Sequence, residues 1–278
     1  MMNALNGLAV MDTADSSRVV QPSDTHLMQS RGGKLVEVDT DRSLEVVCRL
    51  VADLTSVDAL LLTGDLAGDE SEEAYHRLQA TLAPLDVPSV WLPGNHDALW
   101  SPEHQLSEHC KRHIRFSHWA ILMLNTQRRG MVAGHLSDDE LQALEEAIQQ
   151  AQQAQQAQPP MPVATHHPLM PVGWEWLDEI GAENGAEALR RLAPLTDRAL
   201  VISGHVYQDS TQACQGVQCL TTPSTCLQFA PHSAVFKVDS LAPGCRLINL
   251  HKNGAWDTIV CRVTDGTFEV DMDSSGCA

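Results

Sequence analysis

Basic residues are scarce in this chain. Its 278 residues include 18 Lys and Arg against 36 Asp and Glu, for a formal net charge of -18. Gripping long nucleic acid takes clustered Lys and Arg to neutralise the phosphates, so a nucleic-acid polymer is not an expected partner. A small phosphate ester stays open, because bound metal ions can supply the positive charge locally. Paired cysteine motifs are missing too. The eight cysteines include no CxxC, and the closest pair is Cys214 and Cys219. In a chain of this length that spacing favours buried or reduced thiols in a cytosolic protein. No run approaches the ~18 apolar residues of a membrane span. Residues 1–17 carry no Lys or Arg and no sustained apolar core, against a signal peptide. The expectation is a cytoplasmic protein with no membrane contact.

What is present is a large apolar fraction, 43%, enough for one large domain or two small ones. No linker composition divides the chain. Residues 1–17 read as a mobile polar leader, and 18–278 as one domain whose part 211–278 is rich in strands. The spacing of Leu44, Val47, Leu50 and Val51 predicts a helix over 39–54, and 70–82 is helical again. Ser137-Asp-Asp-Glu140 looks like a capping box opening a helix with Leu141, Leu144 and Ile148 on one face. That helix runs into the Ala/Gln segment 149–158, read as an exposed extension or a surface loop. The histidines His104, His109, His113 and His118 read as surface or loop residues. Leu247–His251 and Thr258–Arg262 flank Asn253-Gly254, a hairpin signal. The strand-rich C-terminal region is expected to form the second half of a sheet sandwich.

Ala59-Leu-Leu-Leu62 is the pattern of a strand buried on both faces, and it ends in Gly64-Asp65. Four other apolar runs end in the same kind of chemistry. Val19-Val20 leads to Asp24-Thr-His26, with Pro22 predicting that the strand ends there. Ser89–Leu92 leads to Pro93-Gly-Asn95-His96-Asp97. Met161–Thr165 leads to His166-His167-Pro168, and Ala199–Ser203 to Gly204-His205-Val-Tyr207. Each end alone has a plain explanation as a cap, a turn or a satisfied loop pair. Five in series are different, because burying that many polar groups costs stability unless something satisfies them. All of these residue types ligate first-row metals.

The order D-x-H, G-D, G-N-H-D, H-H-P, then G-H resembles the calcineurin-like metallophosphoesterase superfamily from about Val19 to Gln208. Thr25-His26-Leu27, Trp176-Leu-Asp178, Thr222–Phe229 and Pro231-His232 are similar more narrowly to its bacterial 3′,5′-cyclic AMP phosphodiesterase branch. The resemblance implies an α/β fold, a four-layer αββα sandwich of two mixed sheets flanked by helices. It implies two divalent or mixed-valence ions, iron foremost, with manganese or zinc as the other choices. Asp24 and His26 would hold the first ion, Asp65 would bridge, and Asn95, His166 and His205 would hold the second. His96 would be the catalytic group, meeting the phosphate and the leaving alkoxide, with Asn95 also touching substrate. Asp97 would fix the orientation of His96 from behind. His167 would lie near the phosphate as a substrate-binding residue or pack behind it. The implied reaction is attack of a metal-bridging hydroxide on phosphorus, turning cyclic AMP into 5′-AMP.

One position departs from the family pattern G-H-x-H: Tyr207 stands where the second histidine would complete the first metal. A phenol with an ordinary pKa of ~10 ligates well only when a strong Lewis acid deprotonates it. Three outcomes follow: a phenolate on iron, water in its place with a weakly held first metal, or an impaired site. Three functions accordingly stay open. The leading one is a cyclic AMP phosphodiesterase. The others are an enzyme of the same fold acting on another phosphodiester or phosphomonoester, and a cyclic-nucleotide-binding regulatory protein without turnover. Neither the choice between cyclic AMP and cyclic GMP nor the oligomeric state is legible.

Overall fold

The computed structural model describes residues 7–9, 15–98, 107–153, 161–264 and 268–276. Two mixed sheets stack face to face. One has five strands in the order Trp256–Arg262, Gly244–His251, Ser16–Gln21, Ala59–Thr63, Ser89–Leu92. The other has seven: Gly7–Ala9, His113–Arg115, Ala120–Met123, Met161–Thr165, Ala199–Ser203, Val217–Thr221, Ser210–Cys214.

Alternation along each strand builds three apolar layers, since successive side chains point to opposite faces. Val19, Ala59, Leu61 and Val90 meet Ile121, Ala164, Leu200 and Ile202 between the sheets. Their neighbours Val20, Leu60, Leu62 and Trp91 face outward onto Leu44, Val47, Val51, Tyr75 and Leu78 of the helices Thr40–Ala52 and Glu72–Leu82. On the other side, Val163, Ala199 and Val201 cover Leu141, Leu144, Ile148, Leu189 and Leu192 of the helices Asp138–Gln153 and Gly185–Leu192. The result is the expected order of helices, sheet, sheet, helices. Ala59–Thr63 is buried at every residue, as its continuous apolar run predicts.

Several expectations need adjusting. The leader does not end at residue 17. Gly7–Ala9 pairs with His113–Arg115, and Ser16 and Ser17 already belong to a strand, opposite His251 and Leu250. The C-terminal region is not one half of the sandwich. Val217–Thr221 extends the seven-stranded sheet, whereas the hairpin of Gly244–His251 and Trp256–Arg262 extends the other, against Ser16–Gln21. The capping box is half formed. Ser137 Oγ accepts from the Glu140 amide at 3.3 Å, but the Glu140 carboxylate turns away to Arg112 and the Asn125 amide. The Ala/Gln segment continues the helix as far as Gln153, and 154–158 lie outside the described residues. His109 is not a loose surface group, because its ring stacks on Trp91 at 4.3 Å, and His113 lies in a strand. His104 lies outside the described residues. No disulfide joins any two of the seven described cysteines. No described helix is long and apolar enough to cross a membrane.

Candidate metal centre

The five strand ends converge on one buried focus. The segment after Ser16–Gln21 and the one after Ala59–Thr63 are zipped together by backbone bonds, Asp24 N to Gly64 O at 2.9 Å and His26 N to Asp65 O at 3.0 Å. Gly204 N donates to His166 O at 3.0 Å and joins the segments after Met161–Thr165 and Ala199–Ser203. The turns needed to aim five side chains inward are strained. Asp24, His26, Asp65, His205 and Tyr207 all have φ between 45° and 66°, a left-handed region that non-glycine residues rarely enter. Packing is so close that a Cβ on Gly94 would lie 2.1 Å from Asp65 Oδ1, and one on Gly64 would lie 2.3 Å from His166 Nδ1. Only glycine fits at either place.

Asp65 sits at the centre. Its Oδ2 lies 3.3 Å from His166 Nε2 and 3.7 Å from His26 Nε2, while Oδ1 accepts from the His96 amide at 2.9 Å. His166 Nε2 also lies 3.2 Å from Asn95 Oδ1 and 3.2 Å from His205 Nδ1. The Asp24 carboxylate accepts from the His205 amide at 3.2 Å, and ligand atoms of Asp24, Asp65 and His166 all fall within 4.8 Å of one another. The Tyr207 hydroxyl meets His26 Nε2, and its ring stacks on Phe229 at 4.2 Å.

The buried donors perturb one another strongly. Burial pushes the Asp24 carboxyl up to about 8, with Asp65 adding to the rise against the pull of His166. Burial likewise acts to raise Asp65, but His166, His26 and His96 hold it well below the usual carboxylate range. Burial would lower His166, yet Asp65 and Asp24 lift its imidazole to about 9. Burial keeps His26 and His205 neutral, near about 3, the state in which imidazole offers a lone pair. His26 Nδ1 and His205 Nε2 are buried with no partner among the described residues. Two carboxylates, an amide oxygen and three imidazoles, two of which have a ring nitrogen without a partner among the described residues, fit a pair of hard-to-borderline cations.

The adjacent histidines differ sharply. His166 Nδ1 donates to the Thr63 carbonyl at 2.7 Å, which leaves Nε2 directed at the focus. His167 Nε2 donates to the Val132 carbonyl at 2.9 Å, so its Nδ1 accepts from the Thr126 hydroxyl at 2.7 Å. Both nitrogens are therefore spoken for. His167 has no exposed surface, and both of its ring nitrogens face the scaffold. Although it stands within 4.8 Å of ligand atoms of His166 and His205, it has no free lone pair for a metal.

Asp97 also differs from expectation. It makes no recorded contact with the His96 ring. Instead Oδ2 accepts from the Gly94 amide at 2.7 Å, and Oδ1 from the amides of Leu66 and Ala67 and the hydroxyl of Tyr75 at 2.9–3.0 Å. It ties the loop of Asp65 to the loop of Asn95 and so positions two site residues through the backbone. Supports that sequence reasoning missed are Thr63, Thr126, Tyr75 and Ser224, whose hydroxyl donates to the Asp24 carbonyl at 2.9 Å. Tyr75 reads in sequence as an ordinary core-facing helix residue, so nothing marks it.

Comparison with known proteins bears on this geometry. The model of the calcineurin-like phosphoesterase family matches residues 17–209. The 3′,5′-cyclic adenosine monophosphate phosphodiesterase CpdA of Pseudomonas aeruginosa is 36% identical over 95% of this chain and 96% of its own length. The protein of the same name in Escherichia coli K12 is 35% identical over 93% and 94%. Among solved structures, a dimetal phosphatase from Danio rerio superposes with a TM-score of 0.59 at 14% identity, covering 89% of this chain and 99% of that one. A purple acid phosphatase from yellow lupin reaches 0.63 at 14% identity over 92% of this chain and 53% of its own. The chain belongs to the calcineurin-like phosphoesterase family.

Proposed function

We propose that this protein hydrolyses 3′,5′-cyclic AMP to 5′-AMP. The observation that carries the reading is the convergence of Asp24, Asp65, Asn95, His166 and His205 on one buried focus, in a chain 35–36% identical along nearly its whole length to proteins named for that activity. In this reading Asp24 and His26 would hold one cation, Asn95, His166 and His205 would hold the other, and Asp65 would serve both. Iron is the leading identity, with manganese or zinc as the other choices. Two such cations make water nucleophilic at neutral pH and offset charge on the phosphoryl oxygens.

The chain's own residues do the rest. The buried carboxylates and imidazoles keep the focus dry, which strengthens every charge interaction there. His96 stands half-buried at the rim, its ring 4.9 Å from that of His26 and its amide fixed on Asp65 Oδ1. It meets the phosphate and gives its proton to the ribose 3′ oxygen as the P–O3′ bond breaks and water's oxygen joins phosphorus, and the proton that the water loses passes to solvent, from which His96 is recharged. Asn95 orients the phosphoryl group. No covalent intermediate is needed for one hydrolysis. The cysteine spacing, with no CxxC in the chain, favours a cytoplasmic setting for this activity.

The test is elemental analysis of the purified protein together with cyclic AMP hydrolysis, with and without added iron or manganese. The expected result is about two metal equivalents and conversion to 5′-AMP. Full metal content without cyclic AMP turnover would transfer the reading to another phosphate ester. Tyr207, with its hydroxyl on His26, favours a second reading in which the first metal is weakly held and the protein acts as a cyclic-nucleotide-binding regulator. Cyclic AMP binding without turnover, even at high added metal, would support it, whereas turnover that appears only at high added metal would mean an enzyme with a weakly held first metal.

A further inference from the structure

Aromatic side chains are sparse here, six Trp, two Tyr and four Phe in the whole chain. Five of them nevertheless gather at one edge of the metal centre. Tyr207 stacks on Phe229 at 4.2 Å, Phe229 meets Trp176 at 5.0 Å and Phe236 at 5.4 Å, and Trp176 meets Phe236 at 5.6 Å. Trp174 packs in the same apolar cluster, with its indole N–H on His232 Nδ1 at 3.2 Å. Tyr207 and Phe229 are buried, whereas Trp176 and Phe236 are only half covered. The Trp176 indole N–H has no acceptor among the described residues. Nothing in the hydrolysis chemistry requires this concentration of rings.

We propose that Trp176 and Phe236 form the stacking platform for the nucleobase of the substrate, an inference that rests on the cyclic nucleotide reading above. Direction supports it. The rings form an unbroken path from the chemistry to the platform: His96 to His26 at 4.9 Å, His26 to Tyr207 at 5.6 Å, then Tyr207 to Phe229 and on to Trp176. The ribose oxygen that takes the proton of His96 carries the nucleoside with it, so the base extends on the His96 side. An uncharged aromatic base also avoids repulsion from a protein of net charge -18, while stacking uses the π-face that every base possesses. The other apolar edge, Met131 and Val132 at 45% and 52% exposure, belongs to the His167 side through the Val132 carbonyl. A platform of rings alone adds affinity and does not tell adenine from guanine.

The experiment compares steady-state hydrolysis of cyclic AMP and of a base-free ribose 3′,5′-cyclic phosphate by the metal-loaded protein and its variants Trp176→Ala, Trp176→Phe, Phe236→Ala and Val132→Ala. Trp176→Ala is expected to raise KM for cyclic AMP on the order of tenfold with kcat nearly unchanged. Trp176→Phe should recover most of that loss, and the base-free ester should be turned over equally by all. An equal fall on both substrates, no change on either, or a loss confined to Val132→Ala would overturn the proposal. Wild-type protein inert on both esters would instead sink the functional reading. Calorimetric binding of 5′-AMP then decides the platform separately: weaker binding by Trp176→Ala supports it and equal binding overturns it.

Discussion

The two sides of the metal centre are built to different standards. On the side of His166, Thr63 O holds the His166 ring and the Asp24 carboxylate holds the His205 backbone, although the His205 ring keeps Nε2 without a partner among the described residues. On the side of His26, the ring has one nitrogen orphaned and the other against the Tyr207 hydroxyl, and Tyr207 is clamped by Phe229. Oriented ligands lose little freedom on binding a cation, so affinity should concentrate on the His166 side. A phenol beside His26 is the weaker donor at neutral pH unless a strong Lewis acid takes its proton. The two halves are thus expected to differ in metal retention although they share Asp65.

Removing the shared group erases the comparison altogether, and this is the largest effect. Asp65→Ala should lower turnover on the order of a thousandfold and strip both metals, as read by elemental analysis. His166→Ala should empty the side it anchors. His167→Ala, one residue on, should keep metal content unchanged, because neither ring nitrogen of His167 has a lone pair to offer. Equal metal loss in the two histidine variants would show the assignment to be reversed.

Next comes the weak side. Tyr207→His gives it a neutral nitrogen donor and should raise metal occupancy at limiting metal, tightening the weaker site by about 10–100-fold, the range by which groups around a metal tune it, and turnover with it. Unchanged stoichiometry would mean that Tyr207 already serves as a ligand.

The contrast also shows what could be read from the chain. The continuous run Ala59–Leu62 encoded a strand covered on both faces, whereas the order of the layers came with the family resemblance. Candidate ligands stood out because polar residues stand at the ends of such runs, and their division between two cations came only with the resemblance. The role of His167 was not legible, since His166-His167 is symmetrical in sequence and only the turn decides which ring faces Thr63 and which faces Thr126. The positions of Asp97 and of the C-terminal hairpin escaped for the same reason. Each depends on a partner far along the chain, Leu66 for the one and Ser16–Gln21 for the other. The five left-handed residues at the focus go against local preference, so no local pattern announces them.

Without metal, the centre should respond to pH in a defined direction. His166, lifted to about 9 from 6.5, stabilises the fold while protonated, a contribution complete below 6.5 and lost as pH rises to about 9. Asp24, lifted to about 8 from 3.8, holds its proton more tightly in the fold, so its ionisation also lowers stability as pH rises through that range. Asp65 is depressed and contributes the opposite slope, but only in acid. Thermal melts of metal-free protein should therefore fall between pH 6.5 and 9. Metal-loaded protein should fall less, because cations replace the protons. Parallel curves for the two forms would mean that metal binds elsewhere.

The smallest effect on activity should come from behind the centre. Thr126→Val deletes the hydroxyl that donates to His167 Nδ1 at 2.7 Å while keeping the volume of the side chain. His167 Nε2 stays on the Val132 carbonyl, so Nδ1 becomes a buried acceptor with nothing to bond, at a cost of about 1–3 kcal/mol. For a domain of this size that corresponds to a fall in Tm of several degrees, roughly 2–4 °C per kcal/mol. Metal content and kcat should hold, because His166 keeps its bond to the Thr63 carbonyl and the His205 backbone keeps its bond to Asp24. A Thr126→Val protein that melts normally but loses metal would place His167 among the ligands. One that melts early with full metal would confine it to the scaffold, leaving Tyr207 as the residue that separates the two sides.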